Sequence, residues 1–154
     1  RDLGVIADIQ PAFVALNGQW VEELLGPERA RMAYPWKTIV DYGIACAGGS
    51  DCPITPLSPL LGIWSAVTRH AYYTQESGYF LPEERLQVLT ALKLFTRGGA
   101  YADFAENTKG TLTPGKLADL VVLGADPTQV PPAGLRDIAV EMTVVDGKIV
   151  YTAE

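Results

Sequence analysis

The sequence is poor in the residues that most often bind metals or form disulfide frameworks. Its 154 residues include one histidine, His70, and two cysteines, Cys46 and Cys52. Two cysteines without a CxxC pair are too few for a disulfide scaffold, so we expect two free thiols. No HxH, HExxH, P-loop or GxSxG motif occurs, so the chain contains no complete zinc- or nucleotide-binding signature.

Long apolar runs and basic patches are also missing. No stretch approaches the roughly 18 apolar residues of a membrane span. A formal net charge of −6 without a basic patch argues against nucleic acid and anionic membranes as partners. With 48% apolar and 19% charged residues, the composition is that of a globular protein. We therefore expect a protein that binds neither nucleic acid nor membrane, and the two free thiols favour a cytoplasmic one.

Helices and apolar strands alternate up to about residue 110. The patterns predict strands over 3–10 and 44–48, and three or four helices between 17 and 105. The second strand is continuously apolar, which is typical of a parallel strand covered on both faces. These features indicate an α/β fold.

Proline and glycine mark the predicted ends of the helices. Ser58-Pro59 suits the N-cap and first position of one helix, and Pro82 would begin another. The pairs Gly26-Pro27 and Gly98-Gly99 are predicted to interrupt helices. Their positions divide the first part of the chain into several short elements.

The last part of the chain has the pattern of twisted β ribbon. Pro114-Gly115 is the signature of a type II turn, and the run from 120 to 123 reads as a strand. Two further β runs flank Asp146-Gly147, which predicts a type I′ hairpin. The sequence therefore divides into residues 1–110 and 111–154.

One carboxylate stands where the second strand ends, in "CAGGSDCPITPLSPLLG" (46–62). Parallel α/β folds carry their chemistry on loops between a strand and the next helix, which favours a functional Asp51. The alternative is that Asp51 caps a turn or binds nearby backbone N–H groups. Spacing alone favours this local role.

Other candidate residues are weaker. His70 ends a helix far from Asp51, where a histidine usually serves the helix dipole. Cys52 has no histidine partner and is interpreted as a packing residue. Asp119 is interpreted as structural, and Lys109 and Lys116 as solvated turn residues.

Three segments in this order resemble one protein family. "LGPERARMAYPWKTIVDYGIACAGGSDCPI", "PLLGIWSAVTRH" and "KGTLTPGKLADLVVLGADP" are similar to the C-terminal part of metal-dependent amidohydrolases. The nearest group is the family 3 branch, with the N-substituted formamide deformylases and D-aminoacylase-like proteins. The resemblance covers essentially the whole chain and is specific to the superfamily, but much less so to a substrate.

The resemblance implies a distorted TIM barrel with a small β-sandwich and one or two divalent metals, usually zinc. Residues 3–10 would match the seventh barrel strand and 44–48 the eighth. Asp51 matches the aspartate that follows the eighth strand, which implies two roles, metal ligand and general base. Gly48 and Gly49 would let backbone and substrate come close.

The chain departs from the family in its histidines. Relatives carry an HxH on the first strand and histidines on the fifth and sixth, and none is present here. Where many relatives read QPTHA, this chain has Gln10, Pro11, Ala12, Phe13 and Val14. A TIM barrel needs ~200 residues or more. We therefore expect a C-terminal fragment that supplies the last two βα units and the sandwich strands, and that is inactive alone.

Two functions follow as expectations. The first is a hydrolase of C–N bonds in amide-type small molecules, metal-dependent in the full-length parent, with no metal expected in the isolated chain. The second is a non-catalytic structural or interaction module that keeps the scaffold. The substrate-binding residues are unknown, with Phe13, Tyr34 and Trp36 as candidates for a pocket wall. Unpaired strand edges lead us to expect a homo-oligomer.

Overall fold

The computed structural model describes residues 1–71 and 78–154. Its first sheet consists of two strands, β1 (Ala7–Ile9) and β2 (Cys46–Gly48), which run parallel. Ala7 pairs with Cys46 and Ile9 with Gly48, and the Gly49 N–H donates to the Ile9 carbonyl at 2.9 Å. The prediction of two parallel strands near these positions is confirmed. Their carboxyl ends therefore lie side by side.

Helices follow both strands. They are α1 (Ala12–Ala30), α2 (Trp36–Asp41), α3 (Pro59–Thr68), α4 (Val88–Lys93) and α5 (Gly99–Ala102), with 3₁₀ turns at Pro82–Glu84 and Pro132–Asp137 and a π-helical turn at Leu94–Gly98. None of the helices in the described ranges is long and apolar enough to cross a membrane.

Two predicted helix boundaries need correction at their N-terminal ends. The first helix begins at Ala12, not near 17, because Pro11 already has the helical φ of −59° that suits a first turn. Pro82 begins only a 3₁₀ turn, and the chain is extended at Arg85 before α4 begins at Val88. Proline therefore indicated the start of a helical turn correctly in both places, but it did not predict how long the helix or turn would be.

The predicted glycine breaks have different outcomes. Gly26, with φ +73°, produces a kink in α1, after which the helix resumes. The expected break at Gly98-Gly99 is wrong, since the chain stays helical from the π turn into α5. A Cβ at Gly98 would lie 2.1 Å from the Cys46 carbonyl oxygen, so this glycine permits close packing of helix on strand.

The core lies between one face of the β1–β2 pair and the helices. A Cβ at Gly48 would come within 2.9 Å of the Phe95 ring, so the strand and the π turn are in close contact. The Ser65 hydroxyl of α3 donates to the Pro11 carbonyl at 2.7 Å and ties the helix to the end of β1. Other large members of this core are Ile9, Val14, Trp36, Leu60, Ile63, Trp64, Leu86, Leu94 and Leu135.

A fully buried arginine joins three parts of the chain. Arg69 caps α3 in the left-handed conformation, with φ +58°. Its Nε donates to the Phe80 carbonyl and its Nη1 to the Tyr34 carbonyl, both at 2.9 Å. Burial lowers the pKa of Arg69 to about 10. The guanidinium therefore links α3 to the chain on either side of it.

The C-terminal part is an antiparallel sheet in the order β3 (Leu120–Leu123), β4 (Val140–Val145) and β5 (Lys148–Thr152). Asp146 and Gly147 both have positive φ, +50° and +72°, as a type I′ hairpin requires. The predictions of β structure and of this hairpin are confirmed.

Candidate functional site

Asp51 lies in a tight turn three residues after β2. It has φ +53° and an exposed side chain, and its carbonyl accepts a hydrogen bond from the Ile54 N–H at 2.8 Å. The Thr55 hydroxyl donates to the Ser50 carbonyl, and Thr55 is only 1% exposed. The turn is thus anchored by a buried threonine, whereas its aspartate points outward.

The side chain that binds a backbone N–H group of this turn, as spacing predicts for Asp51, is that of Ser50. The Ser50 hydroxyl accepts a hydrogen bond from the Cys52 N–H at 3.2 Å. Across residues 1–71 and 78–154, no hydrogen bond or ion pair to the Asp51 carboxylate is present. Asp51 therefore presents an unengaged carboxylate at the carboxyl end of a parallel strand, where α/β folds place reactive groups.

A second carboxylate, which sequence reasoning missed, stands at the same edge. Asp8 lies in β1 opposite Ala47 of β2 and is exposed, whereas its neighbour Ile9 is 3% exposed and faces the helices. The Asp8 Oδ1 atom is 3.9 Å from the position that a Cβ of Gly49 would occupy. The signal available in the sequence was the alternation Ala-Asp-Ile, which places Asp8 on the opposite face from Ile9.

Gly48 and Gly49 have different roles. Gly48 is covered by Phe95 and serves the packing of strand on helix, so the expectation that it gives access to substrate is wrong. Among the described residues beyond its chain neighbours, only the Asp8 Oδ1 atom lies within 4 Å of where a Cβ of Gly49 would be, so the surface there stays open. The close approach of a ligand is therefore possible at the second glycine.

His70 lies apart from this edge, and one of the two cysteines differs from expectation. His70 follows the far end of α3, about 15 Å along the ten-residue helix from its start. Its ring lies between Trp64 and Tyr79, at centroid distances of 5.7 and 5.6 Å. Both thiols are free, but Cys52 is exposed and is not the packing residue that we expected. Burial raises the pKa of the Cys46 thiol.

Two of the three aromatic candidates for a pocket wall pack in the core. The Tyr34 and Trp36 rings are 5.5 Å apart, and the Tyr34 ring meets Phe80 edge-on at 6.3 Å. Trp36 is 9% exposed at the start of α2, before β2 begins. Phe13 alone lies in the first turn after β1 and is half-buried there.

The polar residues near the ribbon have structural contacts. The Asp119 carboxylate accepts a hydrogen bond from the Asp146 N–H at 2.8 Å and so supports the hairpin, as its structural interpretation predicts. Lys109 pairs with Asp103 at 2.6 Å, and this ion pair lowers the pKa of the Asp103 carboxyl. Lys116 donates to the Glu106 carbonyl at 2.5 Å, so it is held by the backbone instead of being solvated.

The donor set at the strand ends suits part of a metal site. Asp51 and Asp8 supply carboxylate oxygens, which are suitable ligands for hard and borderline divalent metals. Within the described ranges, no group of three or more histidine, cysteine, aspartate or glutamate side chains is placed to hold a metal ion. Asp51 therefore fits a metal as one ligand among others.

Comparison with known proteins supports one family. Residues 1–151 match the amidohydrolase family. The chain is 43% identical over 147 residues to the Bacillus subtilis protein YtcJ, named as an amidohydrolase, covering 96% of this chain and 28% of that protein. It is 31% identical over 151 residues to the N-substituted formamide deformylase of Arthrobacter pascens, covering 97% and 27%. The chain thus spans less than a third of these relatives' lengths.

Solved structures agree with this family. An uncharacterized metal-dependent hydrolase from Pyrococcus horikoshii matches with a TM-score of 0.73 and 28% identity, over 86% of this chain and 26% of that one. A second, from Pyrococcus furiosus, matches with a TM-score of 0.62 and 31% identity, over 75% and 22%. Since the family match extends over nearly all of the sequence, this chain belongs to the amidohydrolase family.

Proposed function

We propose that this chain is the C-terminal part of a metal-dependent hydrolase that cleaves C–N bonds in small amide-type molecules. The observation that carries the proposal is the exposed, unengaged carboxylate of Asp51 at the carboxyl end of β2, in a chain of the amidohydrolase family. N-substituted formamides are the first substrates to test, because one relative is named for their deformylation.

In this proposal β1 and β2 are the seventh and eighth strands of a TIM barrel. Residues 1–110 would form its last two βα units, and 111–154 would contribute strands to a small β-sandwich. The parallel pairing of β1 with β2, each followed by a helix, supports this arrangement. The helices cover one face of the pair, and the other face would line the barrel interior.

Asp51 would have two roles at the barrel mouth. It would ligate a divalent metal, which we propose to be zinc, together with histidines supplied by other parts of the barrel. When bound, such a metal lowers the pKa of water toward ~7 and polarises a carbonyl group. Asp51 would accept the proton of the attacking water and pass it to the nitrogen of the leaving amine.

Metal removal tests the proposed reaction. We expect the full-length protein to hydrolyse an N-substituted formamide, and dialysis against a strong chelator to reduce the rate by about 100-fold or more, because the water loses its activating cation. Adding Zn²⁺ should restore the rate. The rate is measured as amine release, and the metal content of each sample is measured by atomic absorption. Full activity in protein that retains less than a tenth of its metal would refute the proposal.

A further inference from the structure

The turn that carries Asp51 has one buried side chain, and that side chain is polar. Every residue from Asp51 to Pro59 is exposed except Thr55, whereas the apolar side chains of Ile54 and Leu57 in the same stretch face solvent. The burial of Thr55 holds in a longer chain as well, because added residues only cover more of this surface. A hydroxyl-bearing side chain, and not an apolar one, therefore anchors the stretch between β2 and α3.

The buried hydroxyl binds the backbone directly next to Asp51. Thr55 Oγ1 donates to the Ser50 carbonyl oxygen, which belongs to the same planar peptide unit as the Asp51 N–H. In the following peptide unit, the Asp51 carbonyl accepts from the Ile54 N–H at 2.8 Å, and the Cys52 N–H donates to Ser50 Oγ at 3.2 Å. Both peptide planes that meet at the Asp51 Cα atom are therefore held by hydrogen bonds within the turn.

These hydrogen bonds hold Asp51 in an uncommon backbone conformation. Its φ is +53°, in the left-handed region that residues other than glycine seldom occupy. Such a conformation persists where the surroundings over-determine it, and examples cluster at functional sites. With both peptide planes held, the direction of the Asp51 Cα–Cβ bond is set, and only the side-chain torsions stay free. The turn therefore fixes the direction in which the carboxylate leaves the backbone.

We propose that Thr55 is a positioning residue for Asp51, whose carboxylate keeps one direction because the buried hydroxyl holds the Ser50–Asp51 peptide. The proposal rests on the proposed hydrolase function for what Asp51 does, but not for the anchoring of the turn. Because it is buried, Thr55 itself reaches neither substrate nor metal and takes no part in proton transfer. Without its hydroxyl, the peptide plane would rotate, and Asp51 would enter extended conformations that swing the carboxylate away.

Substitutions in the full-length protein separate positioning from stability. Thr55→Val keeps the shape of the side chain without the hydroxyl, whereas Thr55→Ser keeps the hydroxyl. Thr68→Val is the matched control, because Thr68 is also buried and donates to the Trp64 carbonyl at 2.8 Å, but at the far end of α3. Both valine variants should lower the melting temperature, since each removes a buried hydrogen bond. If Thr55→Val does not fold, Thr55→Ala replaces it, because the smaller side chain leaves room for a water molecule at the Ser50 carbonyl.

Steady-state kinetics with an N-substituted formamide give the first comparison. We expect Thr55→Val to lower kcat by about 10- to 100-fold and to leave KM within about threefold, because the substrate keeps its contacts while the base is misdirected. Thr55→Ser should restore kcat to within about threefold of wild type, and Thr68→Val should remain in that range despite its lower melting temperature. A loss of kcat in Thr68→Val as large as that in Thr55→Val would overturn the proposal, because destabilisation alone would then explain both.

Two measurements without turnover separate this proposal from the proposed reaction. Hydrogen exchange of the peptide that contains the Ile54 N–H, followed by mass spectrometry in metal-free protein, should be about tenfold faster in Thr55→Val and unchanged in Thr55→Ser and Thr68→Val. Zinc affinity, measured by competition with a chromophoric chelator, should fall by about 10- to 100-fold in Thr55→Val alone.

The outcomes distinguish the two proposals. Faster exchange in Thr55→Val supports the anchoring of Asp51 even if the wild-type protein neither binds zinc nor cleaves a formamide, and that failure counts against the proposed function alone. Unchanged exchange in Thr55→Val overturns the positioning role. Faster exchange in a Thr55→Val protein that keeps wild-type turnover and wild-type zinc affinity overturns it as well, because Thr55 would then stabilise the turn without directing the carboxylate.

Discussion

Asp51→Asn in the full-length enzyme should lower kcat by about 100- to 10,000-fold, the range over which a general base contributes. The amide cannot accept the proton of the attacking water, and it offers a metal a neutral ligand in place of an anion. Asp51 is exposed and its carboxylate has no hydrogen-bond partner among the described residues, so the substitution should leave the fold intact. The rate of amine release under saturating formamide is the measurement.

The matched control for this prediction is Asp146→Asn. Asp146 lies in the hairpin turn with φ +50°, a conformation that asparagine adopts readily, and the substitution removes the same charge. It should leave kcat within about twofold, as expected for a surface change. If Asp51→Asn turned over at a rate close to that of Asp146→Asn, Asp51 would have no part in the mechanism.

Arg69→Met should lower the free energy of unfolding by about 1–3 kcal/mol, the largest stability effect that we expect. The Phe80 carbonyl would lose the Arg69 donor, and an unsatisfied buried group costs about 1–3 kcal/mol. The Tyr34 carbonyl would lose one of two donors, since it also accepts from the Trp36 N–H at 2.9 Å. Part of this loss is offset, because the burial that lowers the pKa of Arg69 to about 10 also penalises its charge in the folded state. Chemical denaturation of the full-length protein provides the measurement.

Arg97→Met makes the same change at an exposed site. No hydrogen bond or ion pair of Arg97 is present within the described residues, so this variant should remain within about 0.5 kcal/mol of wild type. Arg69→Lys should fall between the two, because an ammonium group lacks the planar fork that reaches both carbonyls. A stability of Arg69→Met equal to that of Arg97→Met would show that the buried guanidinium contributes no net stability.

Local signals in the sequence predicted the parts of the fold that depend on neighbouring residues. The apolar run at 44–48 and the pair Asp146-Gly147 specify a strand and a hairpin, and both are present. Gly98 was misread because a glycine that breaks a helix and one that admits a strand carbonyl look alike in sequence. Only the contact with Cys46 distinguishes them.

In the candidate site, too, some features could be predicted from neighbouring residues and others only from contacts in the structure. Asp51 became a candidate because it follows a strand and precedes a helix, but only the resemblance to the amidohydrolases favoured a functional role over a local one. The competing local role could be assigned to Ser50 only from the hydrogen bond to Cys52. Asp8 was missed because a three-residue strand is too short to show which face is covered until its partner and the helices are in place.

The distance from Asp51 to the metal in a crystal structure of the full-length, metal-loaded protein tests the central claim most directly. The metal position follows from its anomalous scattering. For zinc, we predict a carboxylate oxygen of Asp51 at about 2.0–2.2 Å from the ion, the usual length of such a bond. A zinc ion held entirely by other residues, with Asp51 beyond about 4 Å and outside the coordination sphere, would contradict the account.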